Sequence, residues 1–213
     1  PAQESPPPEG TPPAGDGPGA AVLAAGAEDL AGLKAAMEAF DGCALKRTAG
    51  KTVLGVGPPH ARVMVVGEAP GADEDRSGEP FVGRAGKLLD HMLASIGLSR
   101  IENTYITNVV PWRPPGNRTP TPQEVTACLP FAERHVELVD PEFLLLLGGP
   151  AAASLLARKG GVGQLRGRWW DYATPGLQRP VHAIATYHPA YLLRSPEAKQ
   201  LVWRDLLTLK RRL

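Results

Sequence analysis

Several residue types are scarce in this chain, and each shortage removes a class of protein. Its 213 residues include two cysteines, too few for a disulfide-stapled scaffold or for a four-thiolate metal centre built from one chain. No apolar run approaches the ~20 residues of a membrane-crossing helix; the best runs only from Phe143 to Leu147. The sequence opens neither on Met nor on a basic segment followed by an apolar one. No secretory leader is therefore expected, and the expected setting is soluble and cytoplasmic, nucleoid-associated if the source is bacterial. Aromatic residues make up only 6%, so an aromatic in a loop stands out.

Proline (23) and glycine (24) are abundant but unevenly spread. Pro1 to Ala20 holds seven prolines and four glycines and no Leu, Ile, Val or aromatic. Such a segment buries too little surface to offset its ordering entropy. Residues 1–27 are accordingly expected to form a disordered tail and residues 28–213 a single folded domain. The tail carries Glu4, Glu9 and Asp16 and no base; without those three acids the net charge moves from +1 to +4. A mildly basic body permits an anionic partner without requiring one.

From Glu28 onward Leu30, Leu33, Met37 and Phe40 recur at helical spacing. Four short β-rich runs follow: Arg62 to Gly67, Thr104 to Val110, Glu142 to Gly148 and Val181 to Tyr187. Helical stretches separate them at Arg84 to Ile96, Pro122 to Val139 and Pro150 to Arg158, and a last helix is predicted over Pro196 to Arg212 with Ser195 as its N-cap. Alternating strands and helices, with nearly continuous apolar strands, indicate a parallel sheet covered on both faces. Ligands of such sheets sit beyond the carboxyl ends of the strands. The loops that leave those ends are therefore where chemistry is expected.

The first loop reads Gly67-Glu68-Ala69-Pro70-Gly71-Ala72-Asp73-Glu74-Asp75. Its glycines allow a ligand close to the backbone, whose amides could hold an oxyanion; a plain strand-to-loop turn is the competing reading. Nucleotide-binding motifs are missing. There is no G-x-G-x-x-G, and Gly78 to Gly83 has P-loop spacing but Arg84 where lysine is needed. Three acids in a row repel phosphate and better suit a cationic transition state or a polarised water. Phe81, in the following glycine-bracketed loop, is either a core residue or a platform for a flat ring. Asn108 ends the second strand, where its amide either bonds backbone or reads a ligand edge. The stiff segment Pro111 to Pro120 carries Arg113 and Arg118, which suits contacts to a nucleic-acid backbone or a rigid connection. The fourth strand runs into His188-Pro189-Ala190-Tyr191-Leu192-Leu193-Arg194. Those leucines serve either as a staple under the next helix or as a wedge in a base stack.

Taken together the loops resemble the uracil-DNA glycosylase superfamily, most closely its family 4. The resemblance rests on Gly67-Glu68-Ala69-Pro70-Gly71 with Glu74, Pro80-Phe81-Val82-Gly83, Ile106-Thr107-Asn108, Arg113-Pro114-Pro115-Gly116-Asn117-Arg118, and His188 to Arg194, from about Asp41 to the C-terminus. It implies a three-layer α/β/α sandwich on a four-stranded parallel sheet, action as a monomer, and hydrolysis of the bond between uracil and deoxyribose in DNA. In that scheme Phe81 stacks on the extruded base within a pocket that includes Gly67 and Ala69. Asn108 accepts from uracil N3–H and donates to O4, a pattern cytosine inverts. Glu74 crowds the place of a thymine methyl group. His188 donates to O2, aided by backbone amides of the Glu68 turn. Ala69 stands where other families keep a water-activating Asp, which leaves Asn117 or Glu68. Leu192 and Leu193 fill the gap in the duplex, and Arg113, Arg118 and Arg194 hold phosphates.

One departure is plain. The resemblance implies four cysteines on an iron–sulfur cluster, but only Cys43 and Cys128 are present; Phe40 and Trp112 stand at the other two places. No metal and no cofactor are therefore expected, with the two rings filling the space. Competing readings are a same-fold module that holds uracil or abasic DNA without turnover, a hydrolase of free nucleosides, and a glycosylase with a broader range of deaminated bases.

Overall fold

The computed structural model describes residues 19–213. Six strands form one sheet: β1 (Gly55–Val56), β2 (Val63–Gly67), β3 (Thr104–Asn108), β4 (Phe143–Leu147), β5 (Trp169–Tyr172) and β6 (Val181–Thr186), in the order β1-β3-β2-β4-β6-β5. The four inner strands are parallel, and β1 and β5 are short antiparallel edges. The four parallel strands are the four expected. The two edge strands are an addition, because Gly55–Val56 and Trp169–Tyr172 are too short to show a periodicity of their own.

Every residue of β2, β3 and β4 is buried. Alternate side chains of these strands enter two separate cores. Met64, Val66, Leu144 and Leu146 meet helices α1 (Ala20–Ala25), α2 (Leu30–Ala39), α5 (Pro122–Val139) and α6 (Gly149–Leu155). Val63, Val65, Leu145 and Leu147 meet α4 (Arg84–Ala94), α8 (Pro189–Arg194) and α9 (Lys199–Lys210). The short α3 (Ala72–Ser77) and α7 (Val162–Leu165) complete the helices named here. Leucine-to-alanine changes in either core should each cost about 2–5 kcal/mol.

Three boundaries differ from expectation. The tail was placed over residues 1–27, but Ala20–Ala25 is helical with Ala20 and Ala24 buried in the α5 core; small methyl side chains gain their burial from a partner helix that composition does not reveal. Residues 1–18 lie outside the described residues. The last helix opens with a tight turn at Pro196–Ala198 before α9, and Ser195 makes no capping hydrogen bond. Leu192 and Leu193, expected in a loop, lie within α8. Helix α5 starts as expected: Thr121 Oγ1 accepts from the Glu124 amide at 3.2 Å, Glu124 Oε2 accepts from the Thr121 amide at 2.7 Å, and Pro122 is the first helical residue.

The register places the functional loops side by side. Gly67 is level with Asn108, and Leu147 with Thr186. The loops after β2, β3, β4 and β6 therefore leave the sheet at one height. The chain turns to opposite sides after β2 and after β4, which opens a crevice between their ends. Among the described residues no helix is long and apolar enough to cross a membrane.

His135 sits wholly in the α5 core with Nε2 3.0 Å from the Tyr105 hydroxyl, and burial pushes its pKa down to about 3. In the unfolded chain its value returns to 6.5, so the unfolded state binds the extra proton at intermediate pH. Stability from this group is full above 6.5 and is lost as pH falls toward the folded value. About 2 kcal/mol should be gone by roughly pH 5. Urea midpoints measured across that range should fall less steeply for His135→Gln than for the wild type.

Candidate active site

A cavity of about 380 Å³ opens at the carboxyl ends of the inner strands. Glu68 and Ala69 line it from the loop after β2, Glu74 from α3, Asn108 from the end of β3, and His188 and Arg194 from the segment after β6. Phe81, Asn117 and Arg118 complete the predicted residues on its wall. Residues as distant in sequence as Glu68 and Arg194 thus share one space.

Gly67 explains how tightly the parts fit. A Cβ built there would lie 2.5 Å from Asn108 Oδ1 and 2.6 Å from Phe81 Cζ. Only a residue without a side chain lets the ring and the amide touch the strand end. The Phe81 ring then lies 5.5 Å from the His188 ring, tilted by 31°. Phe81 and Asn117 hold left-handed backbone conformations, with φ of 55° and 57°. Two of the four non-glycine residues with positive φ among the described residues therefore line this cavity, where strain is commonly kept by surrounding structure.

The electrostatics follow from burial. His188 Nδ1 accepts from the Ala190 amide at 3.1 Å. A backbone N–H can only donate, so the neutral ring carries its proton on Nε2. Burial, followed by the nearby Arg194 charge, pushes the His188 pKa down to about 4, and Glu74 opposes this. Burial raises the Glu68 carboxyl above the usual carboxylate value. Three buried side-chain oxygens among the described residues have no hydrogen-bond partner, and two of them are Glu68 Oε1 and Asn108 Oδ1. Buried polar atoms usually have a partner, and these two oxygens belong to residues that line the cavity, where an entering ligand can supply one.

Other predicted residues have different employment. Glu74 Oε1 accepts from the Val82 and Gly83 amides at 2.9 and 3.0 Å, and Oε2 accepts from the Gly71 amide at 3.1 Å. Its carboxylate ties two loops together while the residue lines the cavity, so these bonds fix its position on the wall. Arg118 donates to both Glu124 oxygens at 2.7 and 2.8 Å, and Arg113 Nε donates to Asn117 Oδ1 at 2.7 Å. Arg194 lines the cavity and makes no ion pair or side-chain hydrogen bond among the described residues. Leu192 is 1% exposed and belongs to the core shared by α4, α8 and α9, so it cannot wedge into DNA; Leu193, 41% exposed, remains available. Tyr191, which carried no role in the sequence, lines the cavity and stacks on Tyr187 at 4.9 Å. Its place one helical turn after His188 was the only signal.

The family model described as the uracil DNA glycosylase superfamily matches residues 54–207. That span contains every residue of the cavity just described. The chain belongs to the uracil-DNA glycosylase superfamily. It is similar to the type-4 uracil-DNA glycosylase of Archaeoglobus fulgidus, 44% identical over 162 residues that cover 74% of this chain and 80% of that protein. The type-4 enzyme of Thermotoga maritima is 40% identical over 167 residues, 77% and 84% of the two chains. The type-5 uracil-DNA glycosylase of Thermus thermophilus is 35% identical over 156 residues, 65% and 68%.

This superfamily member does not have the donor set for the cluster that family 4 implies. Cys43 and Cys128 are buried thiols, and their mutual hydrogen bond lowers the first and raises the second. Phe40 stacks on Trp112 at an interplanar angle of 22° with ring centres 6.4 Å apart and meets Phe131 edge-on at 5.3 Å. Trp112 Nε1 donates to Thr52 Oγ1 at 3.1 Å. Two thiols among three aromatic rings do not fit a cubane that needs four thiolates. Among the described residues no group of three or more His, Cys, Asp or Glu is placed to hold a metal ion.

Gly67→Ala should leave the fold intact, since the added methyl meets one ring and one amide rather than the sheet. It should nevertheless displace both and lower ligand-dependent activity about tenfold or more, because misplacements near 1 Å carry such penalties. Circular dichroism alongside a rate measurement checks both halves.

Proposed function

We propose that the protein hydrolyses the N-glycosidic bond of uracil in DNA and leaves an abasic site. The observation that carries this reading is the buried, unpartnered Asn108 Oδ1, set beside the Phe81 ring and a neutral His188 in one cavity. An orphaned acceptor next to a flat apolar face suits a ring that presents an N–H, as uracil does at N3. Cytosine offers an acceptor at N3 and a donor at its exocyclic position, so it mispairs twice, and buried mispairs give large discrimination.

The base leaves the duplex at a cost of a few kcal/mol. Leu193, exposed on α8, occupies the gap, and Arg194 holds a neighbouring phosphate; Arg113 and Arg118 face the backbone as far as their pairing to Asn117 and Glu124 allows. As the bond between C1′ and N1 lengthens, positive charge gathers on the sugar and negative charge on uracil. His188 Nε2–H donates to uracil O2, and its depressed basicity keeps it a neutral donor rather than an acid. Glu68 receives a proton from the attacking water, whose oxygen bonds to C1′; the electron pair of the broken bond departs with uracil. The unpartnered Glu68 Oε1 favours Glu68 over Asn117 for this role, because the Asn117 oxygen already accepts from Arg113. No step requires a metal or an iron–sulfur cluster.

Single-turnover assays on uracil-containing oligonucleotides test the assignment, with alkali cleavage reporting abasic sites. His188→Ala should lose about 10²–10³-fold, the usual effect of removing one donor to a developing oxyanion. Asn108→Ala should lose both rate and preference for uracil over cytosine. Wild-type rates in both variants would remove the reading, and binding without cleavage would point to a module that only holds the base.

The pH profile is a separate check. His188 titrates near 4, so the rate should stay level through the ordinary histidine value of 6.5. Any acid limb should belong to Glu68, whose raised pKa means the active carboxylate is lost earlier as pH falls. Glu68→Gln should therefore lower the rate and flatten that limb.

A further inference from the structure

Phe81 reaches the cavity in a left-handed conformation that an aromatic residue does not choose alone. What holds it there is Arg100, in the turn before β3, nineteen residues away. Arg100 Nη1 donates to the Pro80 carbonyl at 3.0 Å and Nη2 to the Phe81 carbonyl at 2.8 Å. Its Nε donates to Asp90 Oδ1 on α4 at 2.7 Å, and the side chain is 16% exposed. In extended backbone successive carbonyls point in opposite directions, so one planar fork cannot serve both. The two-pronged contact exists because the chain turns at Phe81, and it holds that turn in place.

Helix α4 closes the other side. A Cβ at Gly86 would overlap the Phe81 carbonyl group, so the helix backbone packs directly against the strained peptide. Asp90 lies on the same helix and fixes the guanidinium from behind. Arg100 itself is absent from the cavity wall and reaches neither Asn108 nor His188.

We infer that Arg100 is a positioning residue for the base-stacking platform. Its fork fixes the Phe81 ring against Gly67 and so sets the rate and affinity for the flat base without touching it. This rests on the uracil reading above. A surface staple that merely joined α4 to the next turn would need no bond to the Phe81 carbonyl.

A double-mutant cycle separates the two roles, read as single-turnover rate on a uracil oligonucleotide and as inhibition by free uracil. Arg100→Ala should lower the rate about tenfold or more and weaken uracil inhibition by a similar factor. In a Phe81→Ala background the same change should have an effect of less than about twofold, since nothing remains to position. Arg100→Lys, with charge but no fork, should fall between wild type and Arg100→Ala. If Arg100→Ala does not fold, Asp90→Asn tests the same fork by loosening its anchor, and should reproduce the defect in milder form only while Phe81 is present. Equal losses in both backgrounds, or a wild-type rate in Arg100→Ala, overturn the inference while leaving uracil excision standing. A wild-type protein that releases no uracil, or a fully active Phe81→Ala, overturns the underlying reading and this inference with it.

Discussion

The pairing of β2 with β3 is the constraint on which the site depends. Gly67 and Asn108 are opposite partners at the last rung of that ladder. The bonds continue past the strands, with Val109 and Val110 amides donating to the Gly67 and Glu68 carbonyls at 2.9 and 3.0 Å. The loop that carries Glu68 is therefore tied to the strand that carries Asn108. A slip of one residue would turn Asn108 to the opposite face of the sheet and bring a side chain under the Phe81 ring. Buried apolar side chains on both faces of β2 and β3 make that slip costly.

Burial then does the chemical tuning. The same enclosure that lowers His188 raises Glu68, because low polarity disfavours whichever form is charged. One result is a neutral hydrogen-bond donor, the other a carboxylate whose basicity is increased. The Ala190 amide selects the tautomer, and it can do so because Pro189 starts a helix directly after the histidine. Stability is given up to keep this arrangement: two strained residues and two unpartnered oxygens are tolerated at the place where a ligand would meet them.

The region around the two cysteines is packed by aromatic rings. Phe40, Trp112 and Phe131 pack together in the core that also holds both thiols, and Trp112 is anchored to Thr52. Trp112 directly precedes Arg113, whose guanidinium holds the strained Asn117. Packing around the tryptophan thus reaches the cavity rim through two residues of chain and one hydrogen bond.

Much of this was legible in the order of residues. Apolar runs determined the four parallel strands, and helical patterning determined the span of α5 from Pro122 to Val139. Strand-end motifs determined which loops hold Phe81, Asn108 and His188, because local pattern decides where strands stop. Other features depend on contacts between distant segments. Ala20–Ala25 is helical because α5 covers it, and Leu192 is buried because α4 packs on α8. Glu74 and Arg118 looked free because their partners lie in neighbouring loops and turns, and the hold of Arg100 on Phe81 has no local signature. The sequence by itself determined the elements, the motif residues and the shortage of thiols. Only the tertiary structure decided which charged groups are already paired, which oxygens remain open and which ring is held in strain, since pairing and burial are properties of segments that meet in space.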